Sequence, residues 1–268
     1  MATAQVDIKK LLEAGAHFGH QTSRWHPRMA PYIHSKREGN HIIDLTKTVE
    51  GLDKALAFLT DISGAGKQVL LVSTKRQAKD KVKEVALATN MPYVTERWLG
   101  GMLTNTATIG HRIKHLKDLE SRMISGELTN RYSKLEVQRM QEEIDEMNHL
   151  YGGIKEMAAK PGAVFVADVI NDGIAVKEAR KLGVPVVAIV DTNGDPSQIT
   201  YPIPANDDAT KAVTLILDYV QAAIEAGQKK AAKPADKAEK TEPAEAKTEK
   251  TAAKAEPKTE KKEEKAGE

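Results

Sequence analysis

The feature that most restricts the fold is an alternation that begins near residue 68. Residues 68–73, 163–167 and 186–190 read as short buried strands, each built on an unbroken apolar run of at least four residues, and 93–95 reads as a still shorter strand. Between and after them lie stretches with helical spacing, at 77–88, 174–182 and 208–226. A strand that is apolar on both faces has to be covered on both faces, and helices linking successive strands supply that cover. The alternation therefore predicts an α/β fold, a parallel sheet with helices on both faces.

Two stretches stand outside this rhythm. Upstream, residues 8–14 read as a short helix, followed by a segment at 15–45 rich in His, Arg, Lys and Pro. Within it, 32–35 and 41–45 flank Lys36-Arg-Glu-Gly-Asn40, a hairpin signal with a Gly-Asn turn. Thr46 or Thr48 is then placed to cap a helix reaching residue 63, with Val49, Leu52, Leu56 and Leu59 on one face.

The second stretch interrupts the alternation at 104–154. Ile109, Ile113, Leu116 and Met123 share a helical face, and after Ser125-Gly-Glu-Leu-Thr-Asn130 the series Val137, Met140, Ile144, Met147, Tyr151, Ile154 alternates three and four spacings. That is a heptad seam. It predicts an antiparallel coiled-coil helical hairpin projecting from the sheet, with helices about 30 Å long. The domain division expected is an α/β body at 1–103 and 155–228, the hairpin at 104–154, and a tail.

The tail, 229–268, contains no Val, Ile, Leu, Met or aromatic residue. It cannot bury enough apolar area to offset the entropy of ordering, so it is expected to be disordered. Its 12 Lys against 10 acidic residues account for the whole formal charge of +2. The body is neutral but polarised: residues 1–126 hold 19 Lys/Arg against 12 Asp/Glu, and 161–228 hold 4 against 9. Such asymmetry is expected of a chain whose first half meets a polyanion.

Several functions are excluded or unanchored. Without cysteine there is no disulfide, thiol nucleophile or Cys-ligated zinc. The first residues lack the apolar stretch of a signal peptide and no apolar run nears membrane-spanning length, so a cytoplasmic protein is expected. Ser63-Gly-Ala-Gly-Lys-Gln68 lacks the first Gly and the closing Ser/Thr of a phosphate loop, and it precedes a strand instead of following one. Asp191-Thr-Asn-Gly-Asp-Pro196 has its Gly too early for a calcium loop and reads as a structural turn, while Asp207-Asp208 reads as a helix cap. His17 and His20 leave a cation near those acidic loops as an alternative, but without fixed partners the expectation is no metal and no cofactor.

Polyanion-binding features are plainer. Gln21-Thr-Ser-Arg-Trp-His-Pro-Arg28 interleaves Arg24, Trp25 and Arg28, side chains that fork phosphate or stack on unpaired bases. Lys75 and Arg76 follow the strand at 68–73, and Arg97-Trp-Leu-Gly-Gly-Met-Leu-Thr-Asn105 follows the one at 93–95, so both face the carboxyl edge of the sheet. A merely solvated surface and a nucleotide-using enzyme are the alternatives.

Taken in order, His17-Phe-Gly-His-Gln21, Pro27-x-Met-x-Pro-Tyr-Ile33, Thr74-Lys-Arg76, the Arg97–Asn105 segment, Asp191-Thr-Asn193 and Ile203-Pro-x-Asn-Asp-Asp208 closely resemble the bacterial small-subunit ribosomal protein two family. The resemblance covers residues 5–228. It implies a flavodoxin-like sheet with a coiled-coil hairpin, a structural and not a catalytic role, and a place near the head–body junction of the small subunit. It implies as partners the small-subunit rRNA and neighbouring proteins, including the large multi-OB-domain protein one. Carried over, the rRNA-side candidates are His17, His20, Arg24, Trp25, Arg28, Lys36, Arg37, Lys75, Arg76, Arg97, Trp98, Thr104 and Asn105.

Overall fold

A computed structural model describes residues 6–157 and 160–238. The chain opens with α1 (Ile8–Glu13), capped by the Asp7 carboxylate, which accepts from Lys9 N. It then forms a small antiparallel sheet of β1 (Phe18–Gln21), β2 (Ile33–Arg37) and β3 (Asn40–Ile43), with β3 in the middle. β2 and β3 are the expected hairpin, but the turn sits one residue earlier than expected. Arg37 pairs with Asn40, and Glu38 and Gly39 both have positive φ. A two-residue turn with both central residues left-handed matches the twist of the flanking strands. The third strand, β1, lacks an alternating apolar signal of its own and was not expected.

Helix α2 (Leu45–Gly64) is capped by Asp44, not by Thr46 or Thr48. The Asp44 carboxylate accepts from Thr46 N and Thr46 Oγ1, whereas Thr48 is buried one turn in and donates to Pro204 O. A charged carboxylate facing free helix N–H groups is the stronger cap. β4 (Val69–Val72), α3 (Arg76–Thr89) and β5 (Tyr93–Val94) follow, then α4 (Thr106–Ile124), α5 (Glu127–Arg131) and α6 (Lys134–Tyr151). The alternation resumes with β6 (Ala163–Val166), α7 (Gly173–Lys181), β7 (Val186–Val190), β8 (Tyr201–Pro204) and α8 (Thr210–Ala238).

The large sheet has the order β5-β4-β6-β7-β8, every neighbouring pair parallel. Renumbered from its first strand this is the 2-1-3-4-5 flavodoxin-like order. β8 is the strand the pattern did not reveal. Pro202 and Pro204 interrupt its signal, yet they fit an edge strand with β7 on one side only.

Alternate strand residues feed two cores. Val69, Leu71, Phe165, Val187 and Ile203 pack with α2, α3 and α8, while Leu70, Val72, Val164, Val166 and Ala188 pack with α7 and the α4–α6 region. Phe165, on the central strand, is fully buried. Truncating a side chain so placed to alanine costs about 3–5 kcal/mol. α2 and α8 approach closely at Gly227, where an added Cβ would collide with the Thr60 carbonyl.

In the α4–α6 region, Leu116 and Leu119 share a buried cluster with Ile144, Met147, Tyr151 and Ile154. Asn148 donates to Glu120, and His115 lies 3.3 Å from Glu143. The expected seam is therefore uneven. Val137 and Met140 are only half-buried, and Ile124, at the end of α4, is 87% exposed.

Helix α8 continues to Ala238, ten residues into the segment expected to lack order. Lys and Ala favour helix there, against the cost of Pro234, which lies inside the helix and has no N–H to donate. The rest of the expected tail, 239–268, lies outside the described residues.

Candidate nucleic-acid interface

Because all five strands are parallel, their carboxyl ends share one edge. The loops after β4, β5, β6, β7 and β8 gather there, and the basic N-terminal segment is fastened across them. His20 N donates to Thr192 Oγ1 at 2.8 Å and His26 N donates to Thr192 O at 2.7 Å. The approach is tight enough that a Cβ on Gly19 would stand 2.6 Å from Thr192 Cγ2.

Beneath this segment the edge is filled by an ion cluster. Lys75 Nζ lies 2.7 Å from Asp207 Oδ1, 2.7 Å from Asp208 Oδ1 and 3.3 Å from Asp168 Oδ2, and its side chain is only 11% exposed. Burial opposes the Lys75 charge, but hydrogen bonds to Asp207 and Asp208 outweigh it and raise its pKa. His20 bridges Asp191, 3.1 Å from Nδ1, and Asp208, 3.3 Å from Nε2. Its pKa is raised, chiefly by the hydrogen bond to Asp191. Burial, with Asp168 and Asp191 nearby, pushes Asp207 up to about 7 against the pull of Lys75.

Asp172 completes the cluster. Its carboxylate accepts from Thr74 N at 3.1 Å and Thr74 Oγ1 at 2.9 Å, and burial pushes it up to about 6. The boundary between β4 and β6 is the switch point of the sheet, where doubly wound folds bind phosphates ahead of the first helix. Here that place is occupied by the Asp172 carboxylate, with Asp168 beside it. An incoming phosphate would meet negative charge, in keeping with the missing phosphate fingerprints.

The loop after β5 is held differently. Glu178, on α7, is buried and gathers it by five hydrogen bonds. Its Oε1 accepts from Trp98 Nε1 (3.2 Å) and Gly101 N (2.7 Å), and its Oε2 from Leu103 N, Thr104 N and Thr104 Oγ1 (each 3.1 Å). Burial alone would raise the Glu178 pKa, yet these donors hold it below the usual glutamate value. Gly101, at φ +91°, lets the loop turn sharply enough to bring all five donors to one carboxylate. Asn105 then caps α4 by accepting from Thr108 N.

A model of the family described as Ribosomal protein S2 matches residues 11–227. The chain is 48% identical to the small ribosomal subunit protein uS2 of Roseiflexus sp. (strain RS-1) over 232 residues, 86% of this chain and 88% of that one. It is 48% identical to the uS2 of Chloroflexus aggregans over 221 residues (82% and 92%), and 50% identical to that of Dehalococcoides mccartyi over 210 residues (78% and 85%). The chain belongs to the ribosomal protein S2 family. S2 proteins are structural, not enzymatic, which suits an edge whose crevice is closed by carboxylates.

Within this S2 chain, the thirteen residues expected on the rRNA side fall into two groups. Lys75, His20, Trp98, Thr104 and Asn105 are engaged inside the protein by the bonds above, and Trp98 is only 7% exposed. His17 packs against Phe18 in a tilted arrangement with ring centroids 4.0 Å apart, and burial lowers its pKa. Trp25 is half-buried against His41, centroids 5.1 Å apart. Arg28 is exposed but pairs with Asp195 at 2.8 Å. Arg24, Lys36, Arg37, Arg76 and Arg97 are exposed and make no ion pair among the described residues.

Asp207 and Asp208 do not cap α8, which begins two residues later. Asn206 turns the chain by accepting from Asp208 N and Ala209 N, leaving both carboxylates for Lys75. Glu178, Asp168, Asp172 and Thr192 escaped the sequence reading. Only Glu178 carried a signal, a carboxylate among the buried positions Ala175, Val176 and Ala179 of its helix.

Proposed function

We propose that this chain is a structural constituent of the small ribosomal subunit that meets rRNA through the basic side chains surrounding its sheet edge. The single observation that carries the reading is the split among the cations. Arg24, Lys36, Arg37, Arg76 and Arg97 stay exposed without a carboxylate partner among the described residues, while nearly buried Lys75 is neutralised within the fold. Unpaired guanidinium groups are free to fork phosphate oxygens bidentately. The engaged residues act one step back: Trp98, Thr104 and Asn105 hold the loop that presents Arg97, and His20 holds the segment that presents Arg24.

The family resemblance supports two finer parts of the proposal. The site on the subunit is near the head–body junction, and the neighbours include the large multi-OB-domain protein one. The relatives' name, small ribosomal subunit protein uS2, supports a ribosome-bound location. No helix among the described residues is long and apolar enough to cross a membrane.

The test is sedimentation of the tagged full chain through sucrose gradients. Co-migration with small subunits and release at high salt are expected. Five phosphate contacts would give a slope of log K against log salt of roughly −3.5 to −4.5. Recovery in free fractions only, or binding insensitive to salt, overturns the proposal.

A further inference from the structure

We infer that the junction of β1 with the sheet edge is a site for a divalent cation held by one imidazole and two carboxylates, those of His20, Asp191 and Asp207. The three residues come from distant parts of the chain, yet one ligating atom from each lies within 4.8 Å of the others. A mixed nitrogen and oxygen donor set of this size suits a zinc- or manganese-type ion over calcium, which takes six to eight oxygens.

Charge supports the same reading. Asp168, Asp191 and Asp207 are all nearly fully buried. Lys75 reaches Asp168, Asp207 and Asp208 but makes no bond to Asp191, so among the described residues the only cation Asp191 meets is a protonated His20. Buried carboxylates in such excess require either a shared proton or a metal ion.

An independent observation comes from Ser73. Its hydroxyl is fully buried and has no hydrogen-bond partner. Along β4, Val69 and Leu71 face the core formed with α8. By strand alternation Ser73 faces the same side, one step below the level of Lys75 and Asp191. An orphaned hydroxyl there is placed to bind an ion or its water. The Asn193 Oδ1 atom, two residues beyond Asp191, is likewise buried and without a partner.

The histidine is already oriented for such a role. With Nδ1 toward Asp191 and Nε2 toward Asp208, an ion taken through Nδ1 leaves Nε2–H on a carboxylate. That outer hydrogen bond is the usual device for fixing a metal-bound imidazole. The ion would pin β1, and with it the basic segment at 15–45, to the loops after β7 and β8.

Metal binding by the purified, chelator-stripped full chain tests this without any ribosome. Zinc chloride is titrated at pH 7.5 against a chromophoric chelator, with near-UV circular dichroism to check folding. The absence of cysteine removes thiol binding as a competing explanation. One ion per chain is expected. His20→Asn and Asp207→Asn should each weaken binding at least about tenfold, and His34→Asn, at an exposed position on β2, should leave it unchanged. If Asp207→Asn does not fold, His20→Asn and Ser73→Ala carry the comparison. Failure to bind one equivalent, or affinity indifferent to His20→Asn, overturns the inference and leaves a cluster neutralised by protons.

Discussion

Lys75 and Arg76 are neighbours in sequence and opposites in the fold. Lys75 turns inward onto three carboxylates delivered by the ends of β6 and β8, while Arg76, the first residue of α3, projects outward with no partner among the described residues. The same contrast separates the middle of the sheet edge from its surroundings. The middle is closed by Asp168, Asp172, Asp191 and Asp207, and around it stand Arg24, Lys36, Arg37, Arg76 and Arg97, which no carboxylate among the described residues neutralises. A cation is available to a polyanion only if the fold brings no carboxylate to it.

The largest expected effect follows from removing the inward cation. Lys75→Met leaves Asp168 and Asp207 buried without a counter-charge, and breaking a buried pair in this way costs about 3–5 kcal/mol. Arg76→Ala, one residue away, should change unfolding free energy by no more than about 0.5 kcal/mol. Urea unfolding of the two variants side by side measures the difference. Similar, small effects in both would erase the contrast.

Next in size is Glu178→Ala. Five donors of the loop after β5 lose their acceptor at once, four of them backbone or indole N–H groups. Leaving buried donors unsatisfied costs about 1–3 kcal/mol. Hydrogen exchange at Gly101, Leu103 and Thr104 should accelerate, and it should stay unchanged in Arg97→Ala, which touches the same loop from its exposed side.

The closed cluster also sets the pH response. Asp207 is raised to about 7 and Asp172 to about 6, so the folded chain keeps protons that the unfolded chain releases near pH 4. Their contribution to stability is full below about pH 4 and is lost as pH rises through 6 and 7. His20, also raised, acts in the same direction and loses its share above its ordinary 6.5. Asp208 and Glu178 are lowered, so their contributions disappear only as pH falls below the usual carboxylate range. Thermal melts should therefore show higher stability near pH 5 than at pH 8. Asp207→Asn should flatten that slope, and an unaltered slope would show that the cluster titrates elsewhere.

The sheet was legible because buried parallel strands leave unbroken apolar runs, and the strands expected at 68–73, 163–167 and 186–190 are found at Val69–Val72, Ala163–Val166 and Val186–Val190. β8 was not, since Pro202 and Pro204 disguise an edge strand. The helix cap was misjudged for a local reason: Asp44 stands two residues ahead of Thr46, the nearer of the hydroxyl-bearing positions considered. In the candidate site, the basic segments could be read from the sequence, but the division between bound and free cations could not. That division depends on contacts such as Lys75 with Asp207, 132 residues further on. Trp98 shows the same limit, because the glutamate that takes its indole N–H lies 80 residues away.

The smallest effects on stability belong to the outward cations, and there the contrast becomes a statement about binding. Arg24→Ala, Arg37→Ala and Arg97→Ala should each leave the melting temperature unchanged, since none of these side chains has an ion-pair partner among the described residues. Each phosphate contact removed should lower the magnitude of the salt slope for small-subunit binding by roughly 0.7 to 0.9. Arg28→Ala should lower it less, because the exposed Arg28 head group is already shared with Asp195 and Ser197. An Arg28 effect as large as that of Arg97 would mean that the Asp195 pair opens on binding, and that availability is decided on the subunit and not by the isolated fold.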